Sequence, residues 1–261
     1  MCEVTEKQVQ DVIALAKKAG DEVMRIYRQD FAVDFKDDNS PLTQADLLSH
    51  RCIVHGLSEI APDLPVLSEE SSDEVKSARM GWQAYWLVDP LDGTKEFVKK
   101  NDEFTVNIAL VNKHKPVFGV VHAPALNLTY IGQVGHGAFK IIQGERLAIS
   151  VRKRPSDVSE WKIVGSRSHQ SEEFKMFVSD YPEADIVSMG SSLKLCLVAE
   201  GVADLYPRLG LTSEWDTAAA QAVVEAAGGN VLQIPEMTQL RCNTNPESLL
   251  NPYFLVSGEM L

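Results

Sequence analysis

Carboxylates gather at three points of the chain, each where an apolar run gives way to a turn. The densest is Trp86-Leu87-Val88-Asp89-Pro90-Leu91-Asp92-Gly93-Thr94. Leu87 and Val88 read as buried strand, so Asp89 emerges where the chain leaves its sheet. Pro90 fixes one backbone dihedral and Gly93 permits a tight approach. Two acids held this close are costly unless a cation lies between them. Donors that are all oxygen suit Mg²⁺ or Mn²⁺ and not zinc. Further along, Glu69-Glu70 follows Leu67-Ser68, and Asp216 stands within Glu214-Trp215-Asp216-Thr217-Ala218-Ala219. Each segment has a plainer reading when taken singly. Asp89-Pro90-Leu91-Asp92-Gly93 can be a polar turn, and Glu69-Glu70 a solvated loop. Asp216 can be a helix N-cap. Thr43-Gln44-Ala45-Asp46 is a capping box. Acids at several element ends together point instead to one cation site.

The elements that must position these groups are legible from periodicity. Val9, Val12, Ile13, Ala16, Ala19, Val23 and Ile26 recur at three and four residues and predict a helix. Phe31–Phe35 alternates as a strand does, and Asn39-Ser40-Pro41 is a turn. A second helix is expected from about Thr43 to Ile60, with Leu47, Leu48, Cys52, Ile53 and Leu57 inward. A short strand then leads into Ser68. Tyr85–Val88 is a buried strand, followed by a meander near Thr105–Val111, Pro116–His122, Thr129–Val134 and Ala138–Ile142. Arg152-Lys153-Arg154-Pro155-Ser156 is a polar joint between halves 1–150 and 155–261. Beyond it, strand and helix alternate. Trp161–Gly165 is a strand, Glu172–Asp180 and Leu193–Glu200 are helices, and Ala203–Tyr206 is a strand. An Ala-rich helix from about Thr217 to Ala227 stops at Gly228-Gly229. Strands Val231–Ile234 and Tyr253–Val256 close the pattern. The fold class is therefore α+β, with layered sheets and helices between them.

Composition excludes several roles. The 261 residues carry 25 Lys+Arg against 37 Asp+Glu, a formal charge of −12. Such a balance disfavours a nucleic-acid polymer as partner, because phosphate backbones need clustered cations. An anionic small molecule remains compatible where metal ions or a local basic cluster reverse the field. The four cysteines lie outside any CxxC spacing, and Cys52 and Cys196 read as buried thiols. No secretory start or transmembrane run is visible, so a cytoplasmic setting is expected.

Leu67-Ser68-Glu69-Glu70, Asp89-Pro90-Leu91-Asp92-Gly93-Thr94 and Glu214-Trp215-Asp216-Thr217-Ala218-Ala219 resemble, in order and spacing, the three signatures of the inositol monophosphatase superfamily. These are lithium-sensitive, magnesium-dependent phosphatases with a layered αβαβα sandwich fold. Thr94-Lys95-Glu96-Phe97, Gly190-Ser191-Ser192-Leu193-Lys194-Leu195-Cys196 and Asp204-Leu205-Tyr206-Pro207-Arg208-Leu209 are similar to the CysQ-type 3′(2′),5′-bisphosphate nucleotidase branch.

The resemblance implies two or three Mg²⁺ ions, with Mn²⁺ as a substitute. Glu69, Asp89 and the Leu91 carbonyl would hold one ion, and Asp89, Asp92 and Asp216 a second. Thr94 and Asp46 would form the water-activating pair, with Glu70 assisting. Substrate would meet Glu69, Leu91, Asp92, Gly93, Thr94 and Asp216 on the metal side. Ser191, Lys194, Arg208 and His169, with Arg167 as a further candidate, would receive the second phosphate. The implied reaction is hydrolysis of the 3′-phosphate of adenosine 3′,5′-bisphosphate to AMP and phosphate, and of the corresponding phosphosulfate. Alternatives are an inositol-1-phosphate phosphatase, a dual enzyme that also takes fructose 1,6-bisphosphate, and a non-catalytic metal- and phosphate-binding sensor. A monomer is the expected state, and some bacterial relatives associate with the cytoplasmic face of the inner membrane.

Overall fold

The computed structural model describes residues 4–29, 33–35, 41–166 and 171–259. The chain opens with helix α1 (Glu6–Tyr27), the short strands β1 (Val33–Phe35) and β2 (Pro41–Thr43), and helix α2 (Gln44–Ile60). Strand β3 (Val66–Ser68), helix α3 (Asp73–Ala78), strand β4 (Ala84–Asp92) and helix α4 (Thr94–Val98) follow. A meander continues through β5 (Thr105–Asn112), β6 (Lys115–Ala123), β7 (Leu128–Gln133), β8 (Gly137–Ile142) and β9 (Glu145–Ile149). The second half contains β10 (Lys162–Ser166), α5 (Glu172–Ser179), β11 (Asp185–Met189), α6 (Leu193–Ala199) and β12 (Leu205–Arg208). Helix α7 (Glu214–Ala226) and strands β13 (Asn230–Gln233), β14 (Thr238–Gln239) and β15 (Phe254–Ser257) complete it.

Strands β3 to β9 form a seven-stranded sheet in sequence order, antiparallel except for the parallel β3–β4 pair. The other large sheet has six strands in the order β11-β10-β12-β15-β13-β14. The alternation of β4 shows why the sheets stack as they do. Tyr85 and Leu87 point into one apolar cluster with α6, α7 and the second sheet. Trp86 and Val88 point into another with α1 and α2. A third cluster places Phe174 of α5 on Ile163, Leu205 and Leu255, the outer face of the second sheet. Helices therefore lie outside, between and outside the two sheets, the expected αβαβα sandwich.

Helix α1 is held by a Thr5–Gln8 capping box and buries Val9, Val12, Ile13, Ala16, Ala19, Val23 and Ile26, as its periodicity predicts. Several boundaries differ from the sequence reading. Helix α7 begins at Glu214, not Thr217, because Ser213 takes the cap and Asp216 closes its capping box from the third helical position. Asp216 thus lies in the first turn and is not itself the cap. Strand β12 extends to Arg208, two residues beyond the expected end. Strands β9 and β11 were not expected, since both are short sheet edges in which no residue is fully buried. Leu47 is exposed and Cys52 half-buried, so the buried stripe of α2 runs instead through Ala45, Ser49, Ile53 and Leu57. Cys2, part of the 31–35 strand and most of the 39–41 turn lie outside the described residues. Among the described residues, no helix is long and apolar enough to cross a membrane.

Helix α7 lies directly on the seven-stranded sheet because two strand positions lack side chains. A Cβ at Gly119 of β6 would run into the backbone of Ala219, and one at Gly132 of β7 into that of Ala222 and Val223. The alanines of α7 complete this close approach. Gly119→Ala is expected to lower stability by about 1–3 kcal/mol through overpacking, read as a fall in the urea midpoint at unchanged m-value.

Candidate active site

Strand β4 delivers two acids to one place by a departure from regular pairing. Asp89 is opposite Asn107 and Asp92 opposite Thr105, so β4 carries one extra residue between these points. On a regular strand, residues three apart face opposite sides. The bulge removes that alternation and re-aims the second acid. Leu91 N–H donates to Asp89 Oδ1 at 3.0 Å, which fixes the turn. Asp216 arrives from the first turn of α7. Carboxylate oxygens of Asp89, Asp92 and Asp216 all lie within 4.8 Å of one another.

The electrostatics of this group are unfavourable. Asp89 is buried, and its carboxyl is held well above the usual range by burial and then by the charges of Glu69, Asp92 and Asp216. Asp216 is pushed up likewise, by burial first and Asp92 second. Glu69 stands beside the group at the end of β3, where its N–H donates to Val88 O at 3.1 Å. Glu70 follows in the same turn, with its N–H on Ser68 Oγ at 3.4 Å. The donor set is entirely oxygen, rigidly mounted and mutually repelling. It fits a hard divalent cation.

The polar partners of these acids were not foreseen. Asp92 Oδ2 accepts from Ser191 Oγ at 2.6 Å, Ser192 N–H at 2.5 Å and Ser192 Oγ at 2.7 Å. Ser192 Oγ also lies 2.6 Å from Asp216 O and accepts from Asn107 Nδ2 at 2.8 Å. Ser191 Oγ is 2.7 Å from Thr105 Oγ1. A buried hydroxyl thus links two of the clustered acids. The sequence signal was the Ser191-Ser192 pair, of which only Ser191 drew notice. From the other side, Ser49 Oγ of α2 donates to Pro90 O at 2.7 Å, and His50 Nδ1 meets Ser68 Oγ at 2.9 Å. His50 therefore braces the end of β3, the residue just before Glu69.

Thr94 and Asp46 flank the cluster without being joined to each other. Thr94 Oγ1 donates to Leu91 O at 3.3 Å. Asp46 Oδ2 accepts from Thr43 N–H at 2.8 Å and Thr43 Oγ1 at 2.7 Å, which completes the expected capping box. Burial pushes the Asp46 carboxyl up to about 6 despite those bonds. Gly93, with φ of +88°, occupies the left-handed region just before α4, and a Cβ there would crowd Glu103 O and Ser191. Phe97 anchors α4 in an aromatic group with Tyr27 and Phe104, at centroid distances of 5.1 and 5.2 Å.

A cavity of about 310 Å³ opens beside the acids, lined among others by Gly93, Ser191, Lys194, Tyr206, Arg208 and Asp216. Lys194 Nζ donates to Ser191 O at 2.7 Å and lies 5.8 Å from the Tyr206 ring centre. Burial pushes its ammonium downward. Arg208 Nη2 donates to Leu211 O at 2.7 Å, while its buried Nε–H has no partner among the described residues. The structure brings Ser191, Lys194 and Arg208 to the same cavity as Asp92 and Asp216. Arg167 and His169 lie outside the described residues.

Three segments distant in sequence thus converge on one oxygen-rich cluster next to a cavity that also holds Lys194 and Arg208. Known proteins resemble the chain over nearly its whole length. The chain matches the inositol monophosphatase family over residues 5–257. It is 49% identical over 249 residues to the 3′(2′),5′-bisphosphate nucleotidase CysQ of Shigella flexneri, covering 94% of this chain and 98% of that protein. The namesake of Escherichia coli K12 is 48% identical over the same shares. Among solved structures, CysQ from Bacteroides thetaiotaomicron is similar at 40% identity and a TM-score of 0.86, covering 98% of each chain. The Thermotoga maritima IMPase is 28% identical with a TM-score of 0.77, over 96% of this chain and 92% of that one. Signatures, layers and full-length likeness agree: the chain belongs to the inositol monophosphatase family.

Proposed function

We propose that this protein is a Mg²⁺-dependent 3′(2′),5′-bisphosphate nucleotidase that hydrolyses adenosine 3′,5′-bisphosphate to AMP and phosphate, and the matching phosphosulfate by the same chemistry. The single observation that carries this reading is the pairing of a carboxylate cluster with a cavity that is also lined by Lys194 and Arg208. The full-length likeness to CysQ proteins supports it. An inositol phosphate offers hydroxyls where a nucleotide offers a second phosphate. Lys194 and Arg208 are suited to the phosphate, since both are charged donors that line the cavity.

Glu69, Asp89, Asp92, Asp216 and the Leu91 carbonyl are the groups that would hold Mg²⁺, with Mn²⁺ as a substitute. Bound there, such ions supply activation of water and neutralisation of phosphoryl charge. The chain's own residues do the rest. Gly93 and Thr94 open α4 beside the cluster and seat the scissile phosphate. Thr94 Oγ1 turns from the Leu91 carbonyl toward the attacking water, and Asp46 accepts the proton. A threonine hydroxyl alone is a weak base, so a carboxylate raised toward neutrality is the useful partner. Glu70 assists from the turn beside Glu69. The second phosphate lies against Ser191, Lys194 and Arg208. A cytoplasmic setting fits the thiols of Cys52, Cys196 and Cys242, all free.

Asp89→Asn and Thr94→Ala should each lower kcat by at least about 10²-fold, with near-UV circular dichroism unchanged; phosphate release within tenfold of the parent rate would remove these assignments. Lys194→Ala should raise KM for adenosine 3′,5′-bisphosphate by about tenfold or more, the worth of one charge-assisted hydrogen bond. Its effect on a nucleoside 3′-monophosphate should stay below about twofold, within the spread of an uninvolved surface charge. Equal effects on both substrates would place Lys194 elsewhere, and faster release from inositol 1-phosphate than from the bisphosphate would favour the inositol reading.

A further inference from the structure

One buried polar assembly has no part in the chemistry above, yet it grips the residue that supplies the last carboxylate. Asp216 is held directly by its capping box, where Ser213 N–H donates to Asp216 Oδ2 at 3.0 Å, and by Ser192 Oγ, which donates to Asp216 O at 2.6 Å. The rest of that turn is held by a segment about 30 residues further along the chain, 242–251. Asn251 is the hub. Its Nδ2 lies 2.8 Å from Ser213 O, 3.0 Å from Thr217 Oγ1 and 3.3 Å from Thr212 Oγ1, and its N–H donates to Thr212 O at 2.8 Å.

Glu214 is the second anchor. Its N–H donates to Leu249 O at 2.8 Å. Both carboxylate oxygens lie 2.8 Å from Asn243 N, and Asn243 Nδ2 donates to Arg79 O at 2.7 Å. The Arg79 guanidinium donates to the carbonyls of Asn245, Pro246 and Ser248, which pins the strap itself. Arg79, Glu214, Asn243 and Asn251 are all buried.

Buried charges are an expensive way to fill space, since apolar groups of equal volume are often as stable or more so. What such a network does provide is one defined geometry. Two residues from Glu214, that geometry is the angle at which Asp216 enters the cluster with Asp89 and Asp92. We propose that Glu214 and Asn251 are positioning residues for cation binding: the 242–251 strap holds the first turn of α7 so that Asp216 reaches the other two acids. Neither residue touches the reacting atoms. The inference rests on the cluster being a divalent-cation site, as argued above.

The test uses the full chain and Mn²⁺ alone, titrated by calorimetry at fixed pH without nucleotide. Asp216→Asn is the reference for loss of binding. Glu214→Ala and Asn251→Ala should each raise the Mn²⁺ dissociation constant about tenfold, with Glu214→Gln recovering most of the loss because its Oε1 can still accept from Asn243 N–H. Val12→Ala, in α1 and in an apolar cluster that shares no residue with α7 or the strap, should lower the Tm while leaving the Mn²⁺ constant unchanged. At saturating Mg²⁺ the KM for the bisphosphate should stay within twofold in both strap variants. If Glu214→Ala does not fold, Asn251→Ala carries the same measurement. Parent-like Mn²⁺ binding in a folded Asn251→Ala or Glu214→Ala protein, with or without a lower Tm, overturns the positioning role. Failure of the parent protein to bind Mn²⁺ overturns the cation site instead.

Discussion

Like charges forced together set the terms for the rest of this molecule. Three carboxylates meet within 4.8 Å. At about 5 Å and an effective dielectric near 20, each ionised pair costs roughly 3 kcal/mol. Three such pairs rival the whole net stability of a typical domain, about 5–15 kcal/mol. The fold therefore cannot tolerate the cluster fully ionised on its own. It either keeps protons on some of these acids or takes up positive charge. The raised positions of Asp89 and Asp216 record the first alternative, and an oxygen-lined cage for a divalent ion is the second.

Such a cluster persists only if its carriers are too stiff to relax. Asp89 and Asp92 sit on an interior strand flanked by two apolar clusters, and the bulge between them is locked by the Leu91 N–H. Asp216 sits on a helix pressed against the sheet at Gly119 and Gly132. Asp92 also accepts from Ser191 and Ser192 at the start of α6. The helix that carries Lys194 is thereby fastened to the same residue that serves the cluster. The cationic and anionic walls of the cavity are one piece of construction.

The sequence made the outline of this arrangement readable and left its supports hidden. Helix α1 and strands β4 to β8 announce themselves because their apolar periods match the faces they bury. The three acidic segments were found because each stops an apolar run. The edge strands β9 and β11 gave no such signal, since each sends only one or two partly buried apolar residues, Ile149 or Val187 and Met189, onto the core. The start of α7 was misplaced because Asp216 is a good cap by type, and only coordinates reveal that Ser213 takes that role with Asp216 as its partner. Ser192, Asn107, Asn243 and Asn251 are ordinary polar residues in one dimension. Their importance comes from contacts across scores of residues, which no local pattern can express. Thr94 and Asp46 were expected as a pair, and the structure shows each engaged with another partner, Leu91 O and Thr43.

The strand order of the second sheet has a consequence for how the protein is made. Strand β15, last in chain order, is inserted between β12 and β13, near the middle of the six. The sheet can therefore be zipped shut only after residues 254–257 have left the ribosome, and until then β12 and β13 present unpaired backbone edges. Loops that long are slow to close, and open edges invite pairing with other chains. Until residues 254–257 emerge, the second layer has no centre, and that interval is a vulnerable one.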